Sequence, residues 1–303
     1  MNKIDLSVNI AGIKLTNPVI TASGTFGYGD ELADLVQVRN LGAVTTKTIT
    51  LGPRTGNPPP RICETAGGML NTIGLQNIGL QRFLDEKLEA LAGLGVPVIV
   101  SIAGSTFEEY VAITALLNQV KFIAAIELNL SCPNLKKTII CQDEELFSGI
   151  IRKTSKIKQH PIIAKLSPQV QDIRRLAALA ESSGADALSL VNTFPGMSID
   201  VNTFRPRLST VTGGLSGPCI KPLALRCVWE AAQSVGIPVI GGGGIASGLD
   251  AAEFIIAGAS AVSVGTASFV DPDAPSRIAE ELREYLKARK LGSLGDIKGK
   301  LKL

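Results

Sequence analysis

A thiol and two carboxamides stand close together in the segment 129–134, which reads Asn-Leu-Ser-Cys-Pro-Asn. The apolar run 123–128 precedes it and predicts a buried strand of a parallel sheet. Because Pro133 cannot continue a central strand, the chain must leave the sheet near Cys132. The C-terminal end of such a strand is where α/β proteins bind ligands and carry out chemistry. A free cysteine is more often a small buried hydrophobe, so a catalytic interpretation needs support from the rest of the chain.

Polar side chains and glycines follow most of the other predicted strands, at the point where each strand ends. They are Ser23 after the first strand, Lys47 and Thr48 after the second, Asn129 after the fourth, Lys165 after the fifth, Asn192 and Thr193 after the sixth, Gly243 and Gly244 after the seventh, and Gly265 and Thr266 after the eighth. These groups are expected to converge at one rim, where buried polar groups need partners. A bound polar ligand would provide them.

The glycine pairs after the seventh and eighth strands fit a phosphate site, because exposed backbone N–H groups at a short helix start bind anions. Tight turns are the alternative interpretation. A relaxed dinucleotide fingerprint, Gly241-x-Gly243-x-x-Ala246, is also present. It comes late in the chain and lacks an acidic residue about twenty positions further on, so it does not predict an NAD site.

Two lysines, Lys47 and Lys165, lie at the predicted rim, and lysine is rarely buried unless its ammonium group has a partner. One of them could form a Schiff base with a carbonyl substrate. Alternatively, both could face an anionic or electron-accepting ring. The carboxamides of Asn71, Asn129 and Asn192 could then bind a flat heterocycle through both donors and acceptors.

Composition narrows the class of protein. Among 303 residues, 45% are hydrophobic and the net charge is only +3, without a basic block, which argues against a nucleic-acid partner. No signal peptide or membrane-length apolar stretch is visible. The five cysteines form no CxxC pair, which argues against zinc or an iron–sulfur cluster in this chain and predicts a cytoplasmic protein with reduced thiols. The single histidine, His160, precedes a strand, which argues against a histidine-based triad.

Short apolar strands alternate with amphipathic stretches. The predicted strands are 19–23, 43–48, 96–103, 123–131, 161–167, 185–193, 237–245 and 259–266, and the predicted helices are 30–39, 75–91, 106–119, 144–158, 169–183, 221–235, 248–257 and 274–288. This repeat predicts a single (β/α)8 TIM barrel over residues 1–303, in preference to a doubly wound sheet. A hairpin over 4–15 is expected to close the barrel bottom. The insertions 51–74 and 195–218 are expected to extend the C-terminal face; either could be simple elaboration, but two on the same face favour a lid or pocket wall.

With these residues in place, the chain resembles the class 1 dihydroorotate dehydrogenases. The segment 22–29 (ASGTFGYG) is similar to the family's first flavin loop, and 45–48 (TTKT) holds the flavin lysine. The segment 71–77 (NTIGLQN) resembles the substrate loop, and 129–134 carries the base. The segments 191–197 (VNTFPGM) and 213–222 (GGLSGPCIKP) resemble class 1B in particular.

The resemblance implies FMN as cofactor and oxidation of (S)-dihydroorotate to orotate in pyrimidine synthesis. It implies that Cys132 takes the C5 proton while C6 passes a hydride to flavin N5, and that Lys47 and Lys165 offset charge on the reduced flavin. The implied FMN contacts are Ser23, Lys47, Thr48, Asn129, Lys165, Val191, Gly217, Gly243, Gly244, Gly265 and Thr266. The implied substrate contacts are Lys47, Asn71, Thr72, Ile73, Gly74, Leu75, Asn129, Asn192 and Thr193.

Class 1B further implies a partner subunit that carries FAD and a [2Fe–2S] cluster and passes electrons to NAD+, in a heterotetramer of two plus two around a homodimer core. Two features depart from that pattern. The segment 135–141 replaces the usual Gly-Gly lid, and Ser101 stands where class 1B commonly has a flavin-contacting asparagine and class 1A often has serine.

Other activities remain open at this stage. They are a class 1A homodimer that uses fumarate, a flavin barrel that reduces uracil or thymine as dihydropyrimidine dehydrogenases do, a Schiff-base lyase built on Lys165 or Lys47, and a non-catalytic flavin-binding subunit.

Overall fold

The computed structural model describes residues 4–32, 36–131 and 139–302. The strands, in chain order, are β1 (Val8–Ile10), β2 (Ile13–Leu15), β3 (Val19–Thr21), β4 (Val44–Thr45), β5 (Ile62–Thr65), β6 (Gly68–Asn71), β7 (Val98–Ile102), β8 (Ile123–Asn129), β9 (Ile162–Lys165), β10 (Ala187–Leu190), β11 (Phe194–Met197), β12 (Ile199–Asp200), β13 (Arg205–Pro206), β14 (Thr212–Ser216), β15 (Val239–Gly242) and β16 (Ala261–Val264). The α-helices are α1 (Leu80–Glu86), α2 (Leu88–Ala92), α3 (Phe107–Leu117), α4 (Glu144–Ile157), α5 (Ile173–Ser182), α6 (Lys221–Ala232), α7 (Gly248–Ile256), α8 (Ala267–Val270) and α9 (Ala274–Ala288).

Eight strands form a parallel barrel, which confirms the predicted TIM-barrel fold. Their order in the sheet is β3, β16, β15, β10, β9, β8, β7 and β4. A parallel bridge between Ile20 and Ala43 joins the first strand to the last, and the Thr21 amide donates to the Ala43 carbonyl at 3.2 Å. The barrel strands are rich in β-branched residues and mostly buried, as expected where helices cover the outer face of a parallel sheet.

The hairpin of β1 and β2 plugs the N-terminal end of the barrel, as the sequence predicts. Ile10, Ile13 and Leu15 pack in a single buried cluster with one side chain from seven of the barrel strands and with Ala43, which directly precedes β4. That cluster contains Ile99 of β7, Ala125 of β8 and, on five further strands, Ile20, Ile163, Ala187, Ile240 and Ala261. These side chains therefore mark the inward face, and residues two positions further along each strand share it.

The two insertions on the C-terminal face pair with each other, which the sequence did not indicate. β5 and β6 come from the first insertion, and β11 and β14 border the second. Together they form a four-stranded antiparallel sheet in the order β11, β14, β6, β5. This sheet, called the rim sheet below, gives both insertions a defined structure beside the barrel mouth.

Two predicted helices differ from the observed ones. The helix expected from residue 75 begins at Leu80, because Leu75 and Gly79 both take positive φ, 55° and 80°, which an α-helix cannot accommodate. In the described part of 30–39, the only helical residues belong to a 3₁₀ turn over Val38–Asn40. In the described residues, no helix is long and apolar enough to cross a membrane.

Candidate active site

Three neighbouring strands bring polar side chains to the inward face at the C-terminal end of the barrel. Ser101 lies two residues after Ile99 on β7, and Lys165 lies two residues after Ile163 on β9. On β8, Glu127 and Asn129 follow Ala125 at the same two-residue spacing. All four polar residues are buried, so they must satisfy one another or a ligand.

Three hydroxyl groups form a chain that leads from the rim into this layer. The Ser23 and Thr48 hydroxyls lie 2.9 Å apart, and Thr48 lies 2.9 Å from Ser101. The Ser101 hydroxyl donates to Glu127 Oε1 at 2.9 Å. Because an ionised carboxylate only accepts, the proton of each hydroxyl is fixed in turn. Ser101 donates to Glu127, Thr48 donates to Ser101, and Ser23 donates to Thr48.

The carboxamide at the end of β8 is oriented by three contacts. Asn129 donates from Nδ2 to the Thr48 hydroxyl at 3.3 Å, and its Oδ1 accepts from Asn192 Nδ2 at 3.5 Å and from the Ser131 amide at 3.4 Å. The Tyr110 hydroxyl donates to the Asn129 carbonyl at 2.7 Å and holds the backbone there. The structure thus brings together four predicted site residues, Ser23, Thr48, Asn129 and Asn192, in one hydrogen-bonded cluster.

Glu127 is a site residue that sequence reasoning missed. Its Oε1 lies 3.7 Å from Lys165 Nζ, and both side chains are almost fully buried. The run 123–128 has the pattern of an apolar strand, although it contains this acid. The available signal was a charged residue two positions before Asn129, on the face that points into the barrel. Ser101, to which the sequence assigned no flavin role, joins Glu127 to the hydroxyl chain.

The predicted glycine-rich group lies on one side of the same rim. Gly217, with φ 100°, and Gly244, with φ 78°, are neighbours, since a Cβ at Gly244 would lie 2.9 Å from the Gly217 carbonyl oxygen. A Cβ on Gly243 would lie 3.2 Å from Val191 Cγ2, and the Thr266 hydroxyl donates to Ser216 at 2.8 Å. Close packing of the chain is therefore one reason for glycine at 217, 243 and 244.

A second property of this group is its free donors. Four backbone N–H groups donate to no acceptor in the part of the chain that the structure describes: those of Gly243, Gly244, Gly265 and Thr266. They lie just after the adjacent strands β15 and β16. Adjacent unpaired amides at strand ends suit an anion, and a phosphate would satisfy them.

The predicted substrate segment 71–75 is tied to the rim sheet. Asn71 donates from its side chain to the Gly214 carbonyl at 3.3 Å, and Gly214 packs against Thr193, whose side chain a Cβ there would overlap. Thr72 is held from two sides: its hydroxyl accepts from Asn57 Nδ2 at 2.8 Å and from the Thr210 hydroxyl at 2.7 Å. Ile73, Gly74 and Leu75 continue this loop.

Lys47 follows β4, and its amide donates to the Gly27 carbonyl at 2.7 Å. Burial lowers the pKa of the Lys47 ammonium below its usual value; the charge of Glu31 opposes this shift, and that of Arg61 adds to it. A cation held partly out of water gains most from an anionic ligand, which would restore the lost solvation.

Cys132 lies outside the described residues, as does segment 135–138 of the altered lid. The chain is described again from Ile139, and the Cys141 amide donates to the Leu130 carbonyl at 3.2 Å. Both ends of the segment that carries Cys132 are therefore held at the end of β8, beside Asn129.

Comparisons with known proteins agree with the resemblance noted in the sequence. The sequence model of the dihydroorotate dehydrogenase family matches residues 5–286. A protein of Endomicrobium trichonymphae is 56% identical over 97% of this chain and 96% of its own length. One of Citrifermentans bemidjiense is 50% identical over 100% of both chains. Both are named dihydroorotate dehydrogenase B (NAD(+)), catalytic subunit.

A solved structure is similar as well. The crystal structure of DHODH from Eimeria tenella in complex with ferulenol superposes with a TM-score of 0.82 at 25% identity, and the match covers 98% of this chain and 88% of that one.

Proposed function

Since this chain belongs to the dihydroorotate dehydrogenase family, we propose that it is the FMN-bearing catalytic subunit of an NAD+-linked, class 1B enzyme that oxidises (S)-dihydroorotate to orotate. The observation that carries the proposal is an identity of 50% or more, over nearly whole chains, to catalytic subunits of that type. The polar rim agrees with it, because two lysines, three carboxamides and a row of free amides suit a flavin phosphate and an anionic heterocycle.

The residues fit FMN in two places. The free amides of Gly243, Gly244, Gly265 and Thr266 would hold its phosphate, with Gly217 and Val191 packed beside them. Ser23, Thr48, Asn129 and Lys165 would line the ring, because they form the polar layer at the barrel mouth. Bound there, FMN supplies the hydride acceptor that amino-acid side chains lack.

Cys132 is proposed as the base that removes the C5 proton of dihydroorotate. A thiol has an ordinary pKa of about 8.5, so a modest depression gives enough thiolate near neutral pH. Asn129 and Leu130, which immediately precede this segment, are buried and hydrogen-bonded, and that would hold the thiolate against the substrate.

Substrate binding is proposed for Lys47 and for carboxamides from three parts of the chain. Asn71 lies on the rim sheet, Asn129 ends β8, and Asn192 follows β10. Orotate carries a carboxylate and a ring with alternating donors and acceptors, which a cation and carboxamides can match. Thr72, Ile73, Gly74, Leu75 and Thr193 would complete the pocket wall.

The relatives' shared name, catalytic subunit, implies a partner subunit. We propose that the partner carries FAD and a [2Fe–2S] cluster and that two copies of each subunit assemble around a homodimer of this chain. The glycine segment 241–246 supports this division of labour. It lies at the C-terminal end of β15 and contains Gly243 and Gly244, whose amides are proposed to hold the FMN phosphate, so it is assigned to FMN and not to NAD+.

The test is spectroscopic and kinetic. The purified chain is expected to show the absorption of bound FMN, to lose it on addition of dihydroorotate, and to reduce a dye but not NAD+ efficiently. Adding a subunit with FAD and an iron–sulfur cluster should restore NAD+ reduction. A chain unable to bind FMN would contradict the proposal, and bleaching by dihydrouracil in place of dihydroorotate would reassign the substrate.

Ser101 favours one alternative within the family, since class 1A often has serine there. Efficient fumarate reduction by the isolated chain would assign it to class 1A. Trapping of a substrate on Lys165 or Lys47 by borohydride would indicate a Schiff-base lyase.

A further inference from the structure

The carboxylate of Glu127 has no part in the proposed chemistry, yet it lies inside the barrel mouth with only 5% of its surface exposed. One of its oxygens, Oε1, accepts a hydrogen bond from Ser101 at 2.9 Å and lies 3.7 Å from Lys165 Nζ. A buried acid is costly unless it is paired and hydrogen-bonded, and Glu127 is both. The Glu127 carboxylate therefore lies beside the ammonium group of Lys165, the lysine proposed to line the flavin ring.

We propose that Glu127 is a positioning residue that holds the Lys165 ammonium and reduces the net positive charge that Lys165 presents to FMN. This inference rests on the proposed function, because it assumes FMN above Lys165. The pair contributes almost no net charge to the rim. Lys165 can thus donate a hydrogen bond to the flavin while its charge is balanced by Glu127. A cation without that counter-charge would stabilise the reduced form of FMN.

The hydrogen-bond chain gives Glu127 a second influence on the same site. Since its carboxylate only accepts, it orients the Ser101 hydroxyl and, through it, those of Thr48 and Ser23. The free lone pairs of the Ser23 hydroxyl are then left as acceptors at the rim. Glutamine at position 127 could donate as well as accept, so the direction of the chain would no longer be fixed.

The test replaces the charge at nearly constant shape. In Glu127→Gln, Lys165 loses its counter-charge, and the equilibrium between oxidised and reduced FMN should move at least tenfold toward the reduced form. For a two-electron couple this corresponds to a midpoint potential about 30 mV more positive. The potential is measured by dye-equilibrated spectroscopic titration at pH 6.5.

Asp186→Asn is the matched control. It makes the same change in charge at the ion pair of Lys158 and Asp186. Asp186 directly precedes β10, at the opposite end of the barrel, and its side chain is 32% exposed. Solvent screens that pair, so the FMN equilibrium should stay within twofold of the wild type. A similar shift in both variants would mean that only the total charge matters, which would overturn the proposal.

The remaining outcomes are decisive as well. An FMN-bearing Glu127→Gln protein whose equilibrium stays within twofold of the wild type overturns the inference alone. If Glu127→Gln takes up no FMN, the charge-preserving variant Glu127→Asp is measured instead. FMN bound to Glu127→Asp with the wild-type potential supports a role of the charge. Loss of FMN from Glu127→Asp as well shows that Glu127 only fills space. A wild-type chain without FMN would overturn the proposed function first.

Discussion

The side-chain amide of Asn129 donates to the Thr48 hydroxyl at 3.3 Å, although 81 positions separate the two residues in the chain. This contact joins the second barrel strand to the fourth at the rim. The same hydroxyl lies 2.9 Å from both Ser23 and Ser101, so Thr48 is the point at which the donors of the proposed FMN site meet.

Thr48→Val should therefore damage the site more than its small change in volume suggests. Valine has nearly the same shape but leaves Asn129 Nδ2 and the Ser23 hydroxyl without their partner. An unsatisfied buried group costs about 1–3 kcal/mol, so we expect FMN to bind at least tenfold more weakly. Flavin release, measured by fluorescence, checks this.

The control is Thr154→Val in α4. The Thr154 hydroxyl donates only to carbonyls of its own helix, at 2.8 Å and 3.0 Å, and it lies on an outer helix. That change should leave FMN affinity within twofold of the wild type. Equal losses in the two variants would show that Thr48 acts on general stability.

Cys132→Ser should retain FMN and bind orotate but lose turnover. A serine hydroxyl is a much weaker acid than a thiol, and general base catalysis typically contributes about 100- to 10,000-fold. Stopped-flow reduction of the flavin by dihydroorotate at pH 7 measures the loss, which should shrink as the pH rises. Cys63→Ser, at a half-buried thiol on the rim sheet, is the control and should react at the wild-type rate. Unchanged turnover in Cys132→Ser would assign the base to another residue.

The barrel and most of its rim were predictable because both depend on short-range pattern. Apolar strands of even spacing alternate with amphipathic helices, and polar residues at strand ends must converge once the strands are parallel. The prediction failed where a contact depends on residues far apart. The pairing of Asn71 with Gly214 spans 143 positions, and neither insertion alone has the pattern of a sheet.

Glu127 shows the same limit at the level of one residue. Within its strand it is a single acid in an apolar run, and its role becomes visible only when β9 places Lys165 beside it. The late start of α1 is different, because its cause is local. Leu75 and Gly79 adopt positive φ where the loop turns, and a residue other than glycine at φ 55° is not expected from composition.

Asn57→Ala tests how the substrate loop is held. Asn57 donates to both the carbonyl and the hydroxyl of Thr72, at 3.1 Å and 2.8 Å, from the first insertion. Losing two hydrogen bonds of about 0.5–1.5 kcal/mol each should raise KM for dihydroorotate about tenfold. The FMN spectrum and the FMN affinity should not change. Gln81→Ala, which removes an exposed amide on α1, is the control and should leave KM unaltered.

Lys47 makes orotate binding depend on pH in a defined direction. Burial lowers its pKa in the free protein, and an anionic ligand would raise that pKa again. Binding then takes up a proton above the lowered pKa. Orotate affinity should be highest below that pKa and fall as the pH rises through it, by up to about tenfold per unit.

Lys47→Arg and Lys47→Ala separate this effect from the titration of orotate itself. Arginine keeps its charge above pH 11, whereas lysine loses its proton as the pH rises. The ratio of wild-type to Lys47→Arg affinity for orotate should therefore fall with rising pH. Lys47→Ala should bind weakly at every pH and also slow flavin reduction, since one cation is proposed to serve both rings. Titration of the flavin absorbance with orotate between pH 6.5 and 10 measures all three proteins. Unchanged orotate affinity in Lys47→Ala would remove Lys47 from the orotate site, and slowed flavin reduction in that same variant would place the lysine on the flavin alone.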